Sequence, residues 1–144
     1  MKNLFILFLV FTVGCGNINQ KYDKIEPEQV KQLIVEFLYA GNQSDFAELK
    51  RLTTSDFLIY SNDGEMNFNE LVEFIQDWPE PDKFNFNEFD FEIETDCNSA
   101  FVNYHYGPTD INSENTQIDL HSAYIKRVGN ELKINFLHSN TMEK

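Results

Sequence analysis

Apolar residues along this chain recur with two periods, and the change between them falls at Pro79 and Pro81. Ahead of the prolines the spacing is helical. Val30, Leu33, Ile34, Phe37 and Leu38 recur at i, i+3, i+4, i+7 and i+8, forming one stripe. This first helix opens at Pro27, which suits the first helical position, and closes at Gly41. Ser44 is placed to cap a shorter second helix that turns Phe46, Leu49 and Leu52 inward. Phe57 to Tyr60 reads as a strand ended by the turn Asn62-Asp63-Gly64. Asn69 can cap a third helix carrying Leu71, Phe74, Ile75 and Trp78 on one face, and the two prolines stop it.

Beyond Pro81 the period becomes two. Phe84 and Phe86, then Phe89, Phe91 and Ile93, alternate with Asn85, Asp90, Glu92 and Glu94. The parity slips near Asn87-Glu88, where a bulge would let one long strand bend. Ser99 to Tyr106, Gln117 to Val128 and Glu131 to Asn140 supply three further strands, the last two joined by the hairpin signal Gly129-Asn130. Helices first and an antiparallel meander afterwards predict an α+β domain. No internal repeat or low-complexity segment interrupts it.

The N-terminal segment obeys neither period. Lys2 gives it a positive start, Leu4 to Val13 is apolar except for Thr12, and Gly14-Cys15 follows. Ten such residues fall short of the roughly 20 that cross about 30 Å of hydrocarbon, so the run reads as the core of an export signal. Thr12-Val13-Gly14-Cys15 resembles a bacterial lipobox at its last three positions and departs at the first, where Leu is usual. That resemblance implies a signal peptide over residues 1–14, lipid on Cys15, and a polar tether over residues 15–26. The domain proper then covers residues 27–144, anchored through Cys15 to a membrane of the bacterial cell envelope, inner or outer.

Charge narrows the partners. The chain carries 24 acidic residues against 11 basic ones, a net charge of −13, and loss of Lys2 with the signal would make it one unit more negative. Such a surface repels phosphate backbones and anionic headgroups, which disfavours nucleic-acid binding and electrostatic adhesion to lipid. Cys97 is the only cysteine besides Cys15. A disulfide framework and a cysteine-based zinc site are both excluded on that count.

The order of elements, closing with Leu132-Lys133-Ile134 and then His138-Ser139, resembles the NTF2-like superfamily, particularly its SnoaL-like and DUF4440-like members. The resemblance covers about Pro27 to Asn140 and departs at Leu132, where Trp is usual. It implies a cone, with N-terminal helices packed on a curved antiparallel β-sheet and a pocket at the open end. It implies no single activity, since members of this superfamily include isomerases, dehydratases and transport factors.

Register decides which residues would line that pocket. A two-residue turn at Gly129-Asn130 sets Ile125 opposite Ile134, Ala123 opposite Phe136 and His121 opposite His138, all on the concave face. His121 and His138, with Tyr104 as orienting donor, are the candidate catalytic set, because neighbouring imidazoles can exchange protons near neutral pH. Phe136, Tyr106 and Trp78 are the candidate ligand-binding residues. His105 lies between Tyr104 and Tyr106, but the loop Gly107 to Thr116 hides the phase of that strand. Asp119, Asp56 and Glu36 are available carboxylates that no motif ties to a role.

Metal and cofactor chemistry find no support. A three-histidine site would need His105 to share the face of the other two. Ser61, Asp63, Gly64 and Glu70 match a calcium loop only at later positions, and Ile59 stands where the first carboxylate ligand belongs. The expectation is therefore a non-catalytic module that binds a small apolar ligand or a protein partner. A dehydratase or isomerase is the alternative, and a dimer formed through the convex sheet face is a third reading.

Overall fold

The computed structural model describes residues 22–77, 89–106 and 117–143, with the backbone alone for 106, 117–119 and 141–143. Helix α1 runs Pro27–Asn42 and buries Val30, Leu33, Ile34, Phe37 and Ala40, with Leu38 half-buried at the border of the stripe. Its start is held by the Glu26 backbone N–H, which donates to Gln29 Oε1 at 3.2 Å. Helix α2, Phe46–Leu52, is capped one residue later than the sequence predicts. Asp45 Oδ1 accepts from the Glu48 N–H at 3.0 Å, while Ser44 takes a left-handed φ of 54° in the turn before it.

Strand β1, Thr53–Ser61, follows α2 without a linker and so begins four residues ahead of the predicted Phe57. The Thr53 hydroxyl donates to the Leu49 carbonyl at 3.0 Å, joining the helix end to the strand. A short strand β2, Gly64–Asn67, folds back on β1 and is absent from the sequence reading, because Gly-Glu-Met-Asn has no apolar alternation. Helix α3, Phe68–Gln76, is capped by Asn67 rather than Asn69. Asn67 Oδ1 accepts from the N–H groups of Asn69 and Glu70, and Glu70 Oε2 accepts from the Asn67 N–H at 2.7 Å.

The remaining strands are β3 (Asp90–Thr95), β4 (Ser99–Tyr106), β5 (Gln117–Val128) and β6 (Glu131–Glu143). The expected bulge at Asn87-Glu88 lies outside the described residues. One six-stranded sheet has the order β2-β1-β6-β5-β4-β3, antiparallel throughout except where β1 runs parallel to β6. The three helices pack on its concave face, and helices and sheet share one apolar core.

Inward residues form rungs across the strands. The base rung joins Thr95, Ala100, Ile125, Ile134 and Thr53, and the middle rung joins Ile93, Val102, Ala123, Leu137 and Ile59. At the base, the segment leading into α1 is tied to the β3–β4 turn. Ile25, fully buried, donates its N–H to the Asp96 carbonyl at 2.9 Å. Arg127 donates from Nε to the Cys97 carbonyl at 2.8 Å, reaches the Asp23 carbonyl at 3.4 Å, and lies over the Tyr22 ring.

The hairpin of β5 and β6 departs from the predicted pairing partway along. The expected register holds from Val128 opposite Glu131 to Ile125 opposite Ile134, and then β6 contains one extra residue. Beyond this bulge Tyr124 faces Phe136, Ala123 faces Leu137, and His121 faces Ser139. Two interactions favour the extra residue. The Asn135 amide donates to Thr54 Oγ1 and Asp56 Oδ1 of β1, both at 3.0 Å. The shift also puts Leu137 in the core at 4% exposure and leaves His138 in solvent.

Candidate functional site

A third rung lies above the two apolar ones and differs from them in chemistry. It joins Phe91 of β3, Tyr104 of β4, His121 of β5 and Ser139 of β6, all on the concave face. Exposure rises toward this end. The rise is confined to β5 and β6, where Ile125, Ala123, Ile134 and Leu137 are buried and His121 and Ser139 half-buried; Tyr104 stays buried on β4, and β3 is half-buried at all three rungs.

The rings of this rung are stacked sideways. Tyr104 and His121 have centroids 4.8 Å apart and planes 17° apart, and Phe91 follows at 5.6 Å and 29° from Tyr104. Phe89 extends the rank beside Phe91 at 5.9 Å. The Lys31 amine of α1 lies 5.8 Å from the Phe91 centroid. Tyr104 is 2% exposed, and its hydroxyl has no hydrogen-bond partner among the described residues. Burial pushes the Tyr104 phenol above its usual range, so it is a neutral donor at any physiological pH.

The bulge in β6 separates the expected histidine pair. His121 is on the concave face, whereas His138 pairs with Ser122 on the convex face and is exposed. His105 is also exposed on the convex side, opposite Leu120, which settles the phase the loop had hidden. The three histidines therefore do not converge, and among the described residues no cluster of His, Cys, Asp and Glu could hold a metal ion. Phe136 leaves the pocket as well. It is half-buried on the convex face with its ring 5.4 Å from Tyr60. Trp78, the Tyr106 side chain and Cys15 lie outside the described residues.

Of the expected set, Tyr104 and His121 remain together. Asp56 is on the outer surface, where Thr54, a backbone bond and Lys126 hold its carboxyl below the usual range, and Glu36 lies beside Arg51. The side chain of Asp119 is outside the described residues. Phe91, Ser139 and Lys31, which the sequence reading did not single out for the site, stand beside Tyr104 and His121. The alternation of Phe91 with Asp90 and Glu92 gives it a strand face but no neighbour, and only the cross-strand pairing reveals that it stands beside Tyr104.

A second concavity of about 250 Å³ lies between α1, α2 and the β5–β6 turn, lined by Gln29, Gln32, Leu33, Glu36, Arg51, Leu52, Glu131 and Leu132. Its cation is already engaged, since Arg51 donates to Glu48 from Nε at 2.8 Å and reaches Glu36 at 3.5 Å. It is a surface groove rather than a continuation of the aromatic rung.

The placement of His138 has a direct test. His138→Gln is expected to change stability by less than about 0.5 kcal/mol in a denaturant titration, as for an exposed side chain without special partners. A loss of several kcal/mol would return this histidine to the interior.

No protein-family model matches this sequence, and no curated protein matches it either. Solved structures do. A protein of unknown function from Pectobacterium atrosepticum superposes with a TM-score of 0.62 at 15% identity, over 83% of this chain and 95% of the other. A putative ketosteroid isomerase from Parabacteroides distasonis gives 0.59 at 16% identity, over 86% and 93%. An NTF2-like protein of unknown function from Shewanella oneidensis gives 0.53 at 18% identity, over 78% and 97%. With three helices packed against a curved, unclosed sheet of six strands, and these likenesses spanning about four-fifths of its length, the chain has the NTF2-like fold.

Proposed function

We propose that this protein is a small-ligand-binding module of the bacterial cell envelope, held there by lipid on Cys15, with its ligand seated at the rung of Phe91, Tyr104, His121 and Ser139. The observation that carries the reading is the aromatic rung itself, half-buried at Phe91, His121 and Ser139, which holds a buried phenol with no hydrogen-bond partner among the described residues. An apolar hollow with a few polar groups converging at its accessible end is the usual constitution of a small-molecule site. The likeness in fold to a ketosteroid isomerase-like protein and a putative ketosteroid isomerase supports a small-molecule site. Anchoring is supported by the short apolar run that ends at Gly14-Cys15.

A dehydratase or isomerase is the weaker reading, because it needs two titratable groups reaching one substrate atom. The expected partner of His121 faces the opposite side of the sheet. Binding is testable with the fluorescent probe 1-anilinonaphthalene-8-sulfonate. Ser139→Trp, which fills the aromatic rung, is expected to lower probe affinity at least tenfold, while Phe101→Ser on the convex face leaves it unchanged. The opposite ranking would move the site to the convex face.

A further inference from the structure

The Tyr104 hydroxyl is a buried donor for which the described residues supply no acceptor. Packing alone does not account for it, since Phe would fill the same space without the cost of an unsatisfied polar group. Resting on the small-ligand reading above, we propose that the rung binds an organic carboxylate: a small acid with a flat apolar body, one carboxylate oxygen accepting from the Tyr104 hydroxyl and its charge facing Lys31.

Three further features select an acid over a neutral or cationic ligand. The rings of Phe91, Tyr104 and His121 turn their faces to one another, at 5.6 and 4.8 Å, which leaves their rims rather than those faces for a ligand. An aromatic rim is the electropositive part of the ring and attracts an anionic oxygen. Lys31 is half-buried with its amine over the Phe91 ring and has no ion pair among the described residues, in a chain with more than twice as many acidic as basic residues. A hydrogen bond from a neutral phenol to a carboxylate is of the stronger, charge-assisted kind, and it strengthens where water is excluded.

Three soluble probes of one shape separate these contributions: trans-cinnamate, trans-cinnamamide and trans-propenylbenzene, titrated into the wild-type protein, Tyr104→Phe and Lys31→Gln. Wild type is expected to bind cinnamate most tightly and propenylbenzene least. Tyr104→Phe should weaken cinnamate at least tenfold and leave propenylbenzene unchanged or slightly tighter. Lys31→Gln should weaken cinnamate severalfold and leave cinnamamide unchanged. Without ligand, Tyr104→Phe should melt at the same temperature as wild type or a few degrees higher, because a buried unsatisfied hydroxyl is gone.

If all three probes bind but neither substitution changes their order, the acid assignment is wrong and the small-ligand reading survives. If none binds the wild-type protein, the small-ligand reading itself fails. A Tyr104→Phe variant that melts lower and binds all probes as before would identify the hydroxyl as the holder of an internal water, which also overturns the proposal.

Discussion

Phe37→Ala is expected to cost the domain about 3 to 5 kcal/mol, the range for removing a well-packed aromatic side chain from a core. Phe37 is 6% exposed on the inner face of α1, and its ring packs against Phe57 of β1 with centroids 5.9 Å apart. The contact joins the longest helix to the sheet, so truncation opens a cavity between layers that cannot easily collapse. Phe136→Ala, which unmodified hairpin pairing would have made equally costly, is expected to cost only about 1 kcal/mol, chiefly its aromatic contact with Tyr60 on the convex face. Urea titration of both variants checks this through a midpoint shift at constant slope. Equal losses would mean that both rings are core and that the bulge in β6 is misplaced.

The other large effect concerns location. Cys15→Ala is expected to move the domain from the membrane fraction to the soluble fraction, or to leave the precursor unprocessed. A single acyl chain binds a bilayer only marginally, whereas the several chains of a mature bacterial lipoprotein hold firmly, so the difference should be close to all-or-none. The chain offers no electrostatic substitute, because its net charge of −13 is repelled by anionic headgroups. Persistence of Cys15→Ala at the membrane, with residues 1–14 removed, would refute the lipid anchor.

Much of the architecture is legible in the residue pattern because it follows from local periods. The stripe Val30, Leu33, Ile34 and Phe37 is the buried face of α1, and the bounds of β4 and β5 are those their alternation indicates. What escaped depends on distant partners. Strand β2 is polar and exists by pairing with β1, and the parallel pairing of β1 with β6 joins segments about 80 residues apart with no shared local signal. The extra residue of β6 is of the same kind. Asn135 finds its acceptors on Thr54 and Asp56, and nothing near Asn135 in the chain announces them. That one residue was enough to exchange Leu137 for Phe136 in the core and to divide His121 from His138, since a side-chain period of two turns a slip of one into a change of face. Tyr104 stands beside His121 because the pairing of β4 with β5 is unbroken and the extra residue of β6 does not touch it, a pairing the loop Gly107 to Thr116 hides in the sequence.

The grip of Arg127 on the entry segment also sets how the domain would stand on a membrane. Through Cys97, Asp23 and Tyr22, and through the bond from Ile25 to Asp96, the chain joins the body beside the base rung. The aromatic rung is four residues further along β3 and β4, about 13 Å away at the rise of an extended strand. Seven residues connect Cys15 to Tyr22, and a chain of that length reaches at most about 25 Å. With lipid on Cys15 this would be a short leash fastened beside the base rung, so that end would stay near the headgroups while the aromatic rung stands further out, toward the aqueous compartment.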